Sequence, residues 1–211
     1  MSKSMNSLAA IIIMIIFSGC VNKPKILIVG DSISIGYTPF VESYFADKAT
    51  VIHNPGNAQH TGTGLANIRD WVGNEKWDII QINWGLWDIA HNSVKGRDKE
   101  NGKITFNIDE YESNLDSIVS IIKGMTDATI IFVTTTYVPE NEPGRYTSDV
   151  LKFNNAAIKV MTNHEILVND IYNESILIHN KYGEGENDVH YTKEGYEELS
   201  KLIIDFIESV L

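Results

Sequence analysis

The chain has 211 residues, 43% of them hydrophobic and 9% aromatic, enough for one globular domain with a substantial core. A formal net charge of −11, with no long basic run, argues against nucleic-acid binding, because phosphate contacts require clustered Lys and Arg. The single cysteine excludes an internal disulfide.

The first residues differ in composition from the rest. Lys3 precedes an apolar run from Leu8 to Phe17, and Ser18-Gly19-Cys20 follow. Such a run is too short for a stable membrane anchor but suits the hydrophobic region of a secretory signal. Small residues directly before a cysteine resemble the lipobox of bacterial lipoproteins, with Phe17 where leucine is usual. That resemblance implies a signal peptide over residues 1–19, a lipid on Cys20 and a tether over 20–24. It also implies a place at the bacterial cell envelope, on its periplasmic or extracellular face. An ordinary signal peptide or a buried core segment is the alternative.

From Lys25 onward apolar runs and helical patterns alternate. Ile26 to Val29, closed by Gly30, reads as a buried strand. Thr50 to His53 is a second, ended by the turn signal Asn54-Pro55-Gly56-Asn57. Asp78 to Asn83, Thr129 to Thr136 and Ile166 to Val168 complete the set. Tyr111, Leu115, Ile118, Ile122 and Met125 form one apolar helical face, and Ala156 to Met161 suggest another. Thr192 can cap a last helix presenting Tyr196, Leu199, Ile203, Phe206, Ile207 and Val210. This alternation predicts an α/β fold over residues 25–211, with a parallel sheet of five strands between helices. The polar span His91 to Asn107 reads as a surface excursion near the site or a mobile flap. No internal repeat and no second-domain boundary is visible.

Ligands of open α/β sheets bind beyond the carboxyl ends of the strands. Four clusters fall there or just before a helix: Gly30-Asp31-Ser32, Gly56-Asn57, Asn83 to Asp88, and Asn187 to His190. A serine hydroxyl needs a base to become a nucleophile, and imidazole suits that task near neutral pH. Ser32 and His190 would be that pair. The plainer readings are a helix N-cap for Ser32 and a solvated loop residue for His190. His53 and His60 flank the Gly56 loop and either reach substrate or serve structure. None of the other five histidines has the paired spacing of a metal site, and no metal or other cofactor is expected. The turn after the first strand lacks the glycine-rich phosphate signatures, which disfavours a nucleotide-binding module.

These blocks, in this order and spacing, resemble the SGNH or GDSL hydrolase superfamily across about residues 25–211. "GDSIS" resembles the first block, Gly56 stands for the second, "GLWD" for the third and "NDVHYTKEGY" for the last. The resemblance implies a flavodoxin-like three-layer α/β/α sandwich and serine ester hydrolysis. Ser32 would be the nucleophile and His190 the base. The backbone of Ser32 and Gly56 would form the oxyanion hole, and Asp31, Asn83, Trp84 and Gly85 would lie at the substrate.

Two positions depart from the family pattern. Asn187 stands three residues before the histidine, where Asp is usual, and the acid comes one step later at Asp188. An Asn187-supported triad, an Asp188-supported triad and a Ser32–His190 dyad are all open. Trp87 stands at the place of the oxyanion Asn. Either its indole N–H donates, or Asn57 or Asn83 supplies an amide, or Trp87 is an aromatic wall beside a two-donor hole. The expected activity is hydrolysis of a small-molecule or glycan ester, by preference a short acyl group such as acetyl on carbohydrate. The alternatives are a lysophospholipase or thioesterase, and a catalytically weakened glycan-binding lipoprotein. Oligomeric state is not legible in the sequence.

Overall fold

A computed structural model describes residues 23–211, so the expectations for residues 1–19 and for Cys20 lie outside it. The central sheet holds β1 (Lys25–Val29), β2 (Thr50–His53), β3 (Ile79–Ile82), β7 (Thr129–Val133) and β8 (Leu167–Asn169). All pairings are parallel and the order is β2-β1-β3-β7-β8. Its inner strands β1 and β3 are the near-continuous apolar runs that a sheet covered on both faces demands. Helices α1 (Ser32–Phe45), α5 (Tyr172–Tyr182) and α6 (Lys193–Val210) pack together, as do α2 (Thr61–Val72), α3 (Ile108–Met125) and α4 (Thr147–Asn163). The result is the expected α/β sandwich with five parallel strands. The chain leaves β1 toward β2 and returns across β1 to β3, so the strand order reverses between β1 and β3, where a crevice opens at their carboxyl ends.

The helices with a clean apolar face, α3, α4 and α6, fall where the periodicity places them. Asn107 and Glu110 close a reciprocal capping box on α3, and the Thr192 side chain accepts from the Gly195 N–H to cap α6. Helices α1, α2 and α5 have no such signal in the sequence. Gly36 and Pro39 interrupt α1, and Gly62 and Gly64 interrupt α2. Two of these glycines mark close approaches rather than breaks. A Cβ on Gly36 would lie 2.2 Å from the Tyr196 ring, and one on Gly64 would lie 2.6 Å from the Trp84 ring.

The span read as an excursion or a flap is an ordered antiparallel unit of three short strands: β4 (His91–Ser93), β5 (Gly96–Arg97) and β6 (Lys103–Ile104), ordered β5-β4-β6. No helix among the described residues is long and apolar enough to cross a membrane.

The segment after β3 turns sharply over β7. Asn83 N–H donates to Val29 O (2.9 Å) and the Asn83 amide to Val133 O (2.8 Å). Tyr111 and Thr135 hydroxyls both donate to Trp84 O. Gly85 then passes so close to Thr135 that a Cβ there would lie 1.9 Å from Oγ1. Asp88 Oδ1 accepts from the Thr61 N–H (3.0 Å) and hydroxyl (2.6 Å), which fastens the start of α2 to this loop.

Two outcomes follow from this loop. Gly85→Ala overpacks it and lowers stability by about 1–3 kcal/mol; each kcal/mol should appear as roughly 2–4 °C in the thermal midpoint. Burial pushes the Asp88 carboxyl up to about 7 against its Thr61 bonds, from 3.8 in an unfolded chain. The folded state therefore holds the proton more tightly, and the wild type loses stability as pH rises from about 4 to about 7. Asp88→Asn stays neutral throughout. Unfolding measured across that window should show the variant gaining on the wild type as pH rises, and parallel profiles would refute the assignment.

Candidate active site

The strand-to-helix turn after β1 sets the first group. Asp31, not Ser32, is the N-cap of α1: its Oδ1 accepts from the Ile33 N–H at 3.0 Å. That leaves the Ser32 hydroxyl, in the first helical position, free of capping. Ser34 anchors the turn from below, its Oγ lying 2.8 Å from Asp31 O and 2.7 Å from His53 Nε2.

The loop after β2 is tied to the same turn through both backbone groups of Gly30. Gly30 N–H donates to Asn54 Oδ1 (3.0 Å), and Gly30 O accepts from the Ala58 N–H (2.9 Å). The chain between them carries Gly56, at φ +70, and Asn57. An added Cβ at Gly56 would meet open space, so backbone conformation alone favours glycine there. Neither the Ser32 N–H nor the Gly56 N–H reaches an acceptor among the described residues.

His190 arrives from a loop pinned at its base. Gly183 bridges Tyr191, Glu184 N–H donates to His190 O (3.0 Å) and Thr192 N–H to Tyr182 O (2.8 Å). Ser32 Oγ lies 2.9 Å from His190 Nε2, and His190 Nδ1 lies 2.6 Å from Asp188 Oδ1. The same Asp188 oxygen accepts the backbone N–H of His190 at 2.9 Å. This is an Asx turn: an aspartate two residues before a histidine caps that residue's N–H and meets its ring with one atom. Of the three arrangements left open by the sequence, the geometry is the Asp188 one. Asn187 is exposed and makes no hydrogen bond to His190. Partial burial pushes the Asp188 carboxyl up, but the His190 N–H and ring outweigh it and hold the group below its usual range. A neutral imidazole with Nδ1–H directed at a carboxylate leaves Nε2 as acceptor, so the array can take the Ser32 proton.

Ser32, Asn57, Trp87, Asp188 and His190 line one cleft of about 420 Å³, whose far wall is Arg97, Glu142 and Arg145. The other residues expected at substrate do not reach it. Trp84 is fully buried, its indole N–H donating to Ala58 O, so it joins the core instead of the cleft. Asp31 is buried beneath the helix it caps, and burial pushes its carboxyl up. Asn83 clamps β3 to β7, and Gly85 is packed on Thr135. His60 caps α2 through Nδ1, and His53 supports Ser34, so both serve structure. Among the described residues no cluster of three or more His, Cys, Asp or Glu could hold a metal ion.

Sequence reasoning missed several contributors. Glu142 and Arg145 form a buried ion pair at 2.6 Å. His179 Nε2–H donates to Asp188 O at 2.8 Å from between Tyr137 and Tyr191. Asn54 organises the Gly56 loop by bonding Gly30 N–H and the carbonyls of Pro55 and Gly56. The only signal for Asn54 was its place in the turn after β2, and Glu142, Arg145 and His179 had none.

Solved structures share this fold. An acetyl xylan esterase, AlAXEase, is 15% identical with a TM-score of 0.72, over 87% of this chain and 99% of its own. A lipase/acylhydrolase from Enterococcus faecalis is 22% identical at 0.72, over 88% and 96%. The acetylxylan esterase Axe2 from Geobacillus stearothermophilus is 18% identical at 0.71, over 90% and 94%. No curated protein gives a significant match to the sequence. The profile of the GDSL-like Lipase/Acylhydrolase family matches residues 26–203, nearly the whole described domain and every block of the cleft. The chain thus belongs to the GDSL-like lipase/acylhydrolase family and is an ester hydrolase of the SGNH/GDSL type.

Proposed function

We propose that the protein hydrolyses short-acyl, acetyl-type esters on carbohydrate through Ser32, His190 and Asp188. The hydrogen-bonded line from Ser32 Oγ through His190 to Asp188 Oδ1 carries this reading. Ser32 attacks the ester carbonyl while Nε2 takes its proton and then delivers it to the leaving alkoxide. Water repeats the sequence on the acyl-enzyme. Asp188 holds the ring and stabilises the imidazolium. It supports catalysis over a weakened glycan-binding role.

The oxyanion donors are the Ser32 and Gly56 N–H groups and a side chain. Asn57 Oδ1 accepts from the Gln59 N–H at 2.8 Å, which orients its amide NH₂ the other way, and Asn57 lines the cleft. That orientation makes Asn57 the proposed donor, with Trp87, Arg97 lying over its ring face, as an aromatic wall of the cleft. The small, open cleft, with polar side chains at most of its lining positions, favours a short acyl group on a polar alcohol over a lipid chain. The acetyl xylan esterases among the solved structures point the same way.

Ser32→Ala should abolish turnover of 4-nitrophenyl acetate and labelling by a serine-reactive phosphonate. Asp188→Asn should lower kcat by about 10²–10⁴-fold, far more than Asn187→Ala; equal losses would refute the Asp188 role. Acetylated xylan fragments should be deacetylated faster than long-chain 4-nitrophenyl esters.

The same proposal places the enzyme at a bacterial envelope, tethered through a lipid on Cys20. Cys20→Ser should move it from the membrane to the soluble fraction and abolish incorporation of labelled palmitate.

A further inference from the structure

The unit β4–β6 delivers one cation to the mouth of the cleft. It is seated on the segment before α4: His91 N–H donates to Gly144 O (2.7 Å), Lys99 N–H to Pro143 O (2.7 Å) and Tyr146 hydroxyl to Lys99 O (2.8 Å). A Cβ on Gly144 would come within 2.8 Å of the Arg97 stem, so β5 lies directly on that glycine. The Arg97 guanidinium lies over Trp87, 4.7 Å from the ring centroid, and one of its nitrogens donates to Asn92 Oδ1 at 3.0 Å.

The other charges of the cleft are committed. Asp188 is held by His190. Glu142 pairs with Arg145 and also accepts the Gly144 N–H at 2.7 Å, while Arg145 Nε–H donates to Leu86 O. Among the described residues Arg97 has no carboxylate partner, so two guanidiniums share one carboxylate and the wall keeps a net positive charge. Partial burial, and then the like charge of Arg145, lower the Arg97 pKa from its usual range. An anion from outside would relieve that repulsion. In a chain of net charge −11, this is an exception placed beside the Ser32–His190 pair.

We propose that Arg97 is a specificity-determining residue that binds a carboxylate on the substrate. The preferred ester is then an O-acylated acidic sugar, such as an acylated uronate residue of a glycan, and not its neutral counterpart. The planar guanidinium fork matches a carboxylate in two parallel hydrogen bonds, and the contact with Trp87 and the bond to Asn92 restrain it beforehand. The inference rests on the esterase reading above for the reaction, but its binding claim can be tested apart from it.

The decisive comparison uses tri-O-acetyl methyl glucuronoside as the free acid and as its 6-amide, which differ only in the charge. The wild type should favour the acid in kcat/KM by about 10- to 100-fold, as expected of a charge-assisted pair. Arg97→Gln should collapse that ratio toward one, and Arg97→Lys should keep part of it. A wild-type ratio near one, or an unchanged ratio in Arg97→Gln, overturns the proposal. Equal losses on both substrates do so as well, since they mean only that Arg97 holds β5 on Trp87. Faster turnover of acetylated glucose 6-phosphate than of the uronate would overturn the carboxylate assignment. If no ester is turned over, the esterase reading fails by itself. Binding of unacetylated methyl glucuronoside and its amide to Ser32→Ala, with and without Arg97→Gln, then decides the inference. Preference for the acid that disappears with Arg97 upholds it; no preference overturns it.

Discussion

One carboxylate oxygen organises the site. Asp188 Oδ1 accepts both the backbone N–H and the ring N–H of His190, so the residue's backbone and its imidazole are fixed by a single acceptor. A histidine held only through its ring could swing about χ1 and lose the 2.9 Å approach to Ser32. The bond from His179 to Asp188 O holds the acid from behind, and Val189 is buried between the two functional residues. The loop is thus tied at several points although Glu184, Glu186 and Asn187 are exposed.

The opposite wall depends on Gly30 in a comparable way. Its N–H and its carbonyl both bond to the loop after β2, so the turn bearing Ser32 and the loop bearing Gly56 and Asn57 are joined at two points. Both lie where the strand order reverses, and the third block arrives from β3 next door. Pre-organised donors of this kind stabilise developing charge without reorganising during the reaction. The proposed oxyanion hole therefore comes from the topology as much as from any one side chain.

Strands were easy to read because burial on both faces forces continuous apolar runs, as in Ile26 to Val29 and Ile79 to Ile82. Helices α1 and α2 were not, because the glycines that let Tyr196 and Trp84 approach look like helix breakers when the partner is unseen. Ser32, His190 and the Gly56 loop stood out as blocks, whereas Trp84 and Trp87 were indistinguishable: the same residue three positions apart, one sealed in the core and the other in the cleft. Which of Asn187 and Asp188 meets the ring depended on the Asx turn, a matter of backbone geometry. Arg97 was invisible for another reason. Its proximity to Ser32 is created by a small antiparallel unit lodged against Gly144, and nothing local in its sequence announces that.

The charge balance around Ser32 differs from that of the chain. Two of the nearest acids, Asp31 and Asp88, are buried, and each leaves one carboxylate oxygen without a hydrogen-bond partner among the described residues. Burial raises both, and the Asp31 charge also pushes Asp88 up, to about 7. The Asp188 carboxyl is held below its usual range, and its charge faces the His190 ring, where the proposed mechanism forms a cation. Glu142 is neutralised by Arg145, and Arg97 remains. A strongly acidic protein would repel an anionic substrate from most of its surface. At the cleft, Asp31 and Asp88 are withdrawn beneath the surface, Glu142 is paired with Arg145, and the Arg97 guanidinium is left to offer an anion a local partner. On this argument, the proposed selectivity for a charged ester arises from which acids the fold has buried or paired, together with the one cation of the cleft wall that it has left without a carboxylate.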